Sequence, residues 1–433
     1  MAKKSKKNSL GRPDINTDKY FTDKNIISDI AKELNKSEKI AYTLGTGDAP
    51  STVKEWIPTG IKVLDVCISN KKQGGFPTGR IIEVIGENSA GKTLIGMLTA
   101  KKVQEMNGYV LWIDTENSFS ETLAELVGLK FGTDNKFLYT QPDCLDEVFS
   151  IIEKVLIQLR TQDPDGLILI VWDSVAATPP RAELENDYED QTIALAAREM
   201  SRGFRRISKM IGKLRSTAMC LNQVRTNIGN PYQPLATSHG KALGFYSDIR
   251  IELRVGSQIK DGDNNKIGNI IKAKTIKNRV GPPFRAVEFS MYYTKGIDEY
   301  DSVYDILVKA GYIKSGAWVK INDEKYPDSY RKTDIINMLK YDEEFKEKAM
   351  KIFYDTMIKD YSSEEEHIVD EEGNVVDPQT GNILYSPKKT KRSKEEKIDD
   401  FVDEQFEVSK DGKEEDVDKE INSKSKKQSW FIW

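Results

Sequence analysis

Histidine, cysteine and long apolar runs are scarce in this chain of 433 residues, and each shortage excludes a class of protein. The two histidines, His239 and His367, nearly exclude metal or catalytic-triad chemistry based on histidine. The three cysteines, Cys67, Cys144 and Cys220, have neither zinc-site nor disulfide spacing, which suits a reducing cytoplasm. No apolar run approaches the length of a membrane span, and the basic N-terminus lacks the apolar stretch of a secretory signal. We therefore expect a cytoplasmic protein without a membrane partner.

The net charge of −4 hides an uneven distribution. Residues 361–433 contain 12 Lys and Arg against 20 Asp and Glu, a net of −8, which leaves +4 for residues 1–360. A mildly basic body with an acidic tail is compatible with a polyanionic partner and with a tail that competes with this partner for the basic surface. The length predicts two or three domains.

The most informative segment is glycine-rich and matches the phosphate-loop pattern G-x-x-x-x-G-K-[ST] at every fixed position. Its residues are Gly86, Glu87, Asn88, Ser89, Ala90, Gly91, Lys92 and Thr93. An apolar segment (80–85) precedes it and a helix-compatible segment (94–106) follows, which places backbone N–H groups and a helix N-terminus around a polyphosphate. We expect Lys92 to reach the β- and γ-phosphates of ATP and Thr93 to bind Mg²⁺. A glycine-rich turn that binds no nucleotide is the alternative.

Three later strand ends carry polar side chains suited to nucleotide hydrolysis. The apolar segment 167–172 ends in Asp173, either a Walker-B carboxylate that binds Mg²⁺ or an ordinary turn aspartate. Segment 109–113 is expected to lie beside the phosphate-loop strand, and Glu116 after it is either a general base or a helix cap. Segment 217–221 leads to Gln223, which either contacts the γ-phosphate or is a buried hydrogen-bonding amide.

Strand and helix patterns alternate from about residue 56 to 293, which predicts an α/β core with a mostly parallel twisted sheet flanked by helices. Residues 1–24 are basic and predicted to be disordered, and residues 25–56 hold a helix with one apolar face and a linker. We assign residues 57–298 to the core, 299–360 to a small C-terminal α+β domain, and 361–433 to a disordered acidic tail. The tail ends in an aromatic tip that is either a docking peptide for a protein partner or a fortuitous apolar end. The tip consists of Trp430, Phe431, Ile432 and Trp433.

Together with further runs, these residues resemble the RecA family of DNA strand-exchange proteins. Besides the phosphate loop, the runs are 74–80 (GGFPTGR), 113–116 (IDTE), 174–177 (SVAA), 195–198 (LAAR), 222–225 (NQVR), 241–246 (KALGFY) and 277–279 (KNR). Their order and spacing are those of the bacterial members, and the added tail fits a phage-encoded relative. The resemblance implies a RecA-type ATPase core and an ATP-dependent homologous recombinase. Such a protein forms filaments on single-stranded DNA, pairs it with duplex DNA and exchanges strands in recombination, DNA repair and the SOS response to DNA damage.

The resemblance also implies roles for individual residues. It makes Glu116 the catalytic base, Asp173 the Walker-B carboxylate and Gln223 the switch that links ATP to a DNA-binding loop. It assigns Lys277 and Arg279 to a basic pair that reaches the ATP of the neighbouring subunit, although the family usually has lysine in place of Arg279. Residues 25–56 correspond to the arm that packs on the adjacent subunit, a head-to-tail contact that builds a helical filament.

Two DNA-binding loops also follow from the resemblance, at residues 183–190 and 225–238. The composition of the second loop is predicted to forbid regular structure until DNA binds, with a mobile structural loop as the alternative. An arginine-rich helix beside the first loop supplies positive charge, although a solvated helix face has the same composition. The candidate DNA contacts are Arg198, Arg225, Asn227, Gly240 and Lys241.

Two departures from the family pattern bear on function. Leu123 replaces an aromatic residue that stacks on adenine, and His239 replaces the first of two glycines at the exit of the second loop. Two other functions suit the same ATPase core. A ring-forming helicase needs a larger N-terminal domain than residues 1–56 provide. A DNA-coating protein that holds ATP only structurally is disfavoured because Lys92, Glu116 and Asp173 are all intact.

Overall fold

A computed structural model of the chain describes residues 26–37, 39–42, 44, 49–185, 193–226, 235–237, 241–361, 368–369, 375–376 and 383–385. The chain divides into two compact units, Met1–Lys359 and Asp360–Trp433. Within the described ranges, no helix is both long enough and apolar enough to cross a membrane.

The helices and strands of the described residues follow one another as the alternating pattern predicts. The helices are α1 (Ile26–Leu34), α2 (Lys62–Ser69), α3 (Lys92–Glu105), α4 (Glu121–Val127), α5 (Leu145–Gln162), α6 (Arg181–Glu185), α7 (Ile193–Lys213), α8 (Ala242–Tyr246), α9 (Asp301–Lys309), α10 (Lys332–Tyr341) and α11 (Glu343–Met357). The strands are β1 (Trp56–Ile57), β2 (Phe76–Pro77), β3 (Ile81–Gly86), β4 (Tyr109–Asp114), β5 (Phe137–Thr140), β6 (Ile168–Asp173), β7 (Thr217–Thr226), β8 (Leu235–Thr237), β9 (Ile249–Lys260), β10 (Lys266–Asn278), β11 (Ala286–Tyr292), β12 (Ile313–Lys314), β13 (Val319–Ile321), β14 (Ser329–Tyr330), β15 (Ile368–Val369), β16 (Val375–Val376) and β17 (Ile383–Tyr385).

A nine-stranded sheet organises the first unit, in the order β11-β10-β9-β3-β7-β6-β4-β5, with β8 paired to β7. The strands from β9 to β5 in that order run parallel, whereas β8, β10 and β11 pair antiparallel. This arrangement confirms the predicted α/β fold with a mostly parallel sheet. The prediction that β4 lies beside the phosphate-loop strand β3 is wrong, because β7 and β6 lie between them. Strand order depends on long-range crossovers, which a local pattern does not encode.

The central strands β3, β4 and β6 are buried on both faces of the sheet, which explains why they are largely apolar. In β4, Val110 and Trp112 belong to one hydrophobic cluster, whereas Leu111 and Ile113 belong to a second. Successive side chains of a strand point to opposite faces, so the two clusters lie on the two faces of the sheet. Helix α3 contributes to the first cluster, and helices α5 and α7 contribute to the second.

The second predicted DNA loop, residues 225–238, contains regular structure. Strand β7 continues to Thr226, and Thr226 pairs with Leu235 on β8. The prediction that composition forbids regular structure is wrong for these residues, because an antiparallel ladder between the two segments satisfies their backbone groups. Residues 227–234 and 238–240 lie outside the described residues.

The segments after the central sheet are helical with small sheets. Helices α9, α10 and α11 accompany a three-stranded sheet of order β12-β13-β14. In the second unit, β15, β16 and β17 form another three-stranded antiparallel sheet. The expectation of a wholly disordered tail therefore does not hold for these strands. The aromatic tip at residues 430–433 lies outside the described residues.

Candidate nucleotide and DNA site

Strands β3, β4 and β6 end beside one another, and β7 passes the same edge at Gln223, so four parallel strands deliver the predicted catalytic side chains. Gly86 ends β3 and lies in register with Gln223 on β7. Asp114 ends β4 and lies in register with Asp173, the last residue of β6. Because parallel strands share a direction, their carboxyl ends meet at one edge, where ligands of open α/β sheets bind.

A cleft of about 750 Å³ opens at this edge, large enough for a nucleotide. It brings together most of the predicted nucleotide-site residues. Those that line it are Asn88, Ser89, Gly91, Lys92, Thr93, Glu116, Asp173 and Gln223. Five of these side chains suit a site that binds and hydrolyses phosphates, because they combine a cation, two carboxylates, a hydroxyl and an amide in one cleft. They are Lys92, Glu116, Asp173, Thr93 and Gln223.

The phosphate-loop lysine is buried and bound to its own loop. Lys92 Nζ donates to the carbonyl oxygens of Gly86 at 3.0 Å and Glu87 at 2.8 Å. Burial lowers the pKa of Lys92, and the nearby carboxylates of Asp173 and Glu116 oppose that effect. Two neutral carbonyl oxygens therefore hold the ammonium group at the N-terminus of helix α3. Charged phosphate oxygens form stronger hydrogen bonds and can replace them.

Asp173 and Thr93 form a direct contact suited to a divalent cation. Thr93 Oγ1 donates to Asp173 Oδ2 at 2.7 Å. Burial raises the pKa of Asp173 to about 6, although the hydrogen bond from Thr93 lowers it. The Thr93 hydroxyl and the Asp173 carboxylate are oxygen ligands of the kind that Mg²⁺ prefers, and a bound cation would stabilise the ionised carboxylate that burial disfavours.

Glu116 and Gln223 contact each other, which sequence reasoning did not anticipate. Gln223 Nε2 donates to Glu116 Oε1, and Ser174 Oγ donates to the same oxygen at 2.9 Å. The predicted base and the predicted switch therefore share a hydrogen bond even though β7 and β4 are separated by β6. The segment that follows β4 spans this gap.

Several cleft residues were missed by sequence reasoning because they come from the antiparallel part of the sheet. They are Asn269 on β10, Met291 and Tyr292 on β11, and Tyr293 and Gly296 in the turn that follows. Tyr293 is 54% exposed and lines the same cleft as Leu123. An aromatic ring is thus available in the cleft despite the aliphatic residue at 123. No spacing relates this turn to the phosphate loop, so only the fold brings the two together.

Lys277 and Arg279 lie away from this cleft, toward the opposite edge of the sheet. Lys277 pairs with Arg250, which pairs with Glu83, three residues or about 10 Å before Gly86 along β3. Lys277 Nζ donates to the carbonyl oxygens of Gly244 and Phe245 at 2.9 and 3.0 Å. Neither cation lines the cleft of its own subunit.

Arg279 and Phe245 are both exposed near this opposite edge. The side chain of Arg279 is 55% exposed and lies 3.5 Å from Asp248. Phe245 is 69% exposed. The edge therefore exposes one cation and an aromatic ring, with the half-buried Lys277 beside them.

The candidate DNA contacts are only partly within the described residues. Arg198 is exposed on α7, and Lys241 is exposed immediately before α8. Arg225 belongs to β7, but its side chain lies outside the described part of the chain, as do Asn227 and Gly240. The structure therefore describes the side chains of two of the five candidates, Arg198 and Lys241.

The chain matches known proteins over most of its length. The family described as the RecA N-terminal domain matches residues 24–298. Protein RecA of Chlorobaculum parvum is 36% identical over 319 residues, which cover 73% of this chain and 87% of that protein. Protein RecA of Bacteroides thetaiotaomicron is 37% identical over 296 residues, which cover 66% of this chain and 86% of that protein. The family match includes the phosphate loop and every strand of the cleft, and this chain therefore belongs to the RecA family.

Proposed function

We propose that this chain hydrolyses ATP with Mg²⁺ in the cleft at the carboxyl edge of its sheet. ATP binding and hydrolysis would control its affinity for DNA. As a member of the RecA family, it is a homologous recombinase and a DNA-dependent ATPase that acts in recombination and repair. The contact between Glu116 and Gln223, beside the phosphate loop, is the observation that supports the assignment of the site most directly.

The cleft fits a nucleoside triphosphate and its cation. We assign the phosphates to the loop of residues 86–93, with Lys92 exchanging its carbonyl partners for phosphate oxygens. We assign Mg²⁺ to Thr93 and Asp173, because a buried carboxylate next to a hydroxyl offers two adjacent oxygen ligands. Bound Mg²⁺ would neutralise charge on the phosphate oxygens.

Glu116 is the proposed general base. Its Oε1 accepts hydrogen bonds from Gln223 and Ser174, so the carboxylate is held in the cleft but is already engaged. A γ-phosphate oxygen that takes the Gln223 amide frees Glu116 to accept a proton from the attacking water. Movement of Gln223 toward the γ-phosphate would then shift β7, which leads into the second DNA loop.

Lys277 and Arg279 are proposed to act on the nucleotide of a neighbouring subunit. They lie about 10 Å or more from the level of their own phosphate loop, beside the exposed Phe245. A contact between this edge and the cleft edge of another copy joins two different surfaces, and such heterologous contacts build helical filaments. The cations would stabilise charge on the transferring phosphoryl group, as an arginine finger does.

The remaining assignments are proposals of the same kind. We propose that residues 25–56 form the polymerisation arm, because Ile27, Ile30 and Leu34 are exposed on α1. We assign 57–298 to the core, 299–360 to a C-terminal domain and 361–433 to a tail with a docking tip. Single-stranded and duplex DNA are the proposed partners, and the cytoplasm is the proposed location. The proposed DNA contacts are Arg198, Arg225, Asn227, Gly240 and Lys241.

Replacement of the base tests the catalytic assignment. We expect Glu116→Gln to lower DNA-dependent ATP turnover by about a hundredfold or more, since a general base contributes at least that factor. Filaments on single-stranded DNA, seen by electron microscopy with ATP, should remain. Glu121→Gln, at an exposed carboxylate on α4, is the matched control and should behave as the unmodified protein. Equal turnover of all three proteins would refute the assignment, and closed rings would favour a helicase.

A mixing experiment tests the action of the cations on a neighbouring subunit. Lys92→Ala lacks a working phosphate loop, and the double variant Lys277→Ala/Arg279→Ala lacks the cations, so each should be inactive alone. In a random one-to-one filament, about a quarter of the interfaces combine an intact loop with intact cations. We therefore expect about a quarter of the unmodified turnover. An inactive mixture would show that the cations do not act across the interface.

A further inference from the structure

The backbone that carries Glu116 is organised by a single buried carboxylate, that of Asp114. Asp114 is 1% exposed at the end of β4. Its Oδ1 accepts the backbone N–H groups of Glu116 at 3.0 Å and Ser118 at 3.3 Å, and its Oδ2 accepts that of Phe119 at 3.0 Å. The position of the Glu116 backbone therefore depends on where this carboxylate is held.

Two side chains from the end of β5 hold this loop from outside. Tyr139 donates its hydroxyl to Asp114 Oδ2 at 2.9 Å, and Gln141 Nε2 donates to Asn117 Oδ1 at 2.6 Å. Asn117 has a φ of 54°, a left-handed backbone conformation that needs support from its surroundings. The ring of Tyr139 also lies 5.5 Å from that of Phe119. The loop that carries the base is thus held at its start and in its middle by side chains at and just beyond the end of β5.

The Tyr139 hydroxyl is a dependable donor to this carboxylate. Burial, followed by the hydrogen bond to Asp114, raises the pKa of Tyr139 to about 12. The phenol therefore keeps its proton at any pH at which the protein works, and a hydrogen bond to a carboxylate is stronger than one between neutral groups. Among the described residues, Tyr139 supplies the side-chain donor on Asp114, whereas the other three donors are backbone groups of the loop itself.

We propose that Tyr139 and Gln141 are positioning residues for ATP hydrolysis, which fix the loop of residues 114–120 and thereby aim Glu116. The proposal rests on the assignment of Glu116 as general base. Neither residue lines the cleft. Their effect passes through the loop backbone, and small misplacements of a reacting group carry large losses in rate.

The test compares Tyr139→Phe with a matched tyrosine elsewhere. Tyr139→Phe removes one hydroxyl and keeps the ring contact with Phe119. Tyr312→Phe removes a similar hydroxyl, which donates to Asp323 at 3.1 Å in the C-terminal region. We expect Tyr139→Phe to lower kcat of DNA-dependent ATP hydrolysis about five- to tenfold with little change in KM, and Tyr312→Phe to leave both unchanged. Gln141→Ala, at an exposed side chain, should lower kcat about two- to fivefold.

Combination with the base variant separates positioning from general stability. In the Glu116→Gln background, Tyr139→Phe should not lower the residual rate further, because the residue acts through Glu116. Thermal unfolding should shift by similar amounts in Tyr139→Phe and Tyr312→Phe. If Glu116→Gln is slow but Tyr139→Phe and Gln141→Ala turn over normally, the positioning role is wrong and the base assignment stands. If Glu116→Gln itself turns over normally, both fail.

Discussion

Replacement of Asp173 by asparagine should stabilise the protein in the absence of nucleotide while it removes nucleotide-dependent stabilisation. Asp173 is 2% exposed, and burial raises its pKa from 3.8 to about 6. The folded state therefore binds the proton more tightly than the unfolded state does. This contribution to stability is complete below about pH 4 and is lost as the pH rises through about 6.

The magnitude follows from the difference in pKa. A difference of about 2 corresponds to roughly 3 kcal/mol of unfolding free energy, which the ionised carboxylate costs at pH 7.5. Asparagine removes the charge and can still accept the hydrogen bond from Thr93. Its buried amide hydrogens offset about 1 kcal/mol of the gain. We therefore expect Asp173→Asn to raise the free energy of unfolding at pH 7.5 by about 2 kcal/mol.

The assay is urea unfolding of both proteins at pH 7.5 and pH 4, first without nucleotide and then with Mg²⁺ and a non-hydrolysable ATP analogue. The gain should be lost at pH 4, where folded Asp173 is protonated, and the buried amide should then leave Asp173→Asn slightly less stable than the unmodified protein. Asp65, whose pKa burial raises to about 7, titrates in both proteins, so comparison at one pH cancels its effect. Asp134→Asn, at an exposed carboxylate, is the control. A variant less stable than the unmodified protein at pH 7.5 without nucleotide would refute the reasoning.

Three further changes have expected outcomes of different kinds. Glu83→Gln leaves Arg250 without its buried ionic partner and should cost about 3 to 5 kcal/mol in urea unfolding, and a loss under 1 kcal/mol would contradict this. Gly91→Ala places a Cβ 2.9 Å from Met291 Sδ, at a position where φ is 86°. This variant should bind a fluorescent ATP analogue at least about tenfold more weakly than the unmodified protein. The control Gly132→Ala has a similar φ of 92° but open space around its Cβ, and its affinity should not change. Tyr293→Ala should weaken ATP binding about tenfold and Tyr293→Phe should not, if the exposed ring stacks on the base; equal affinity of all three proteins would exclude stacking.

The strands and the nucleotide side chains could be predicted because the signals are local. A strand buried on both faces must be apolar, so segment 167–172 identifies β6 (Ile168–Asp173) almost to the residue. The carboxyl ends of such strands share one edge, which is why Asp173, Glu116 and Gln223 reach the same cleft. The glycine at 91 is required by its left-handed φ of 86° before helix α3.

The rest depends on pairings between distant segments. The insertion of β7 and β6 between β3 and β4 follows from crossovers, and the pairing of β8 with β7 joins segments of unremarkable composition. Tyr293 and Met291 enter the cleft because the antiparallel strands β10 and β11 extend the sheet beyond β9. The hydrogen bond from Tyr139 to Asp114 joins two neighbouring strands whose polar residues show no spacing signal.

The hydrogen bond between Gln223 and Glu116 has a consequence for the coupling between ATP binding and DNA binding. Gln223 lies three residues before the end of β7, and the segment paired with β8 continues into the second DNA loop. A γ-phosphate that draws Gln223 from Glu116 must therefore act on the base and on β7 at once. Binding free energies are reciprocal, so DNA that favours the displaced position of β7 must raise the affinity for ATP by the same factor by which ATP raises the affinity for DNA. Gln223→Ala should reduce both factors equally and leave the phosphate loop intact, whereas a residue that served only the nucleotide would lower ATP affinity with and without DNA to the same extent.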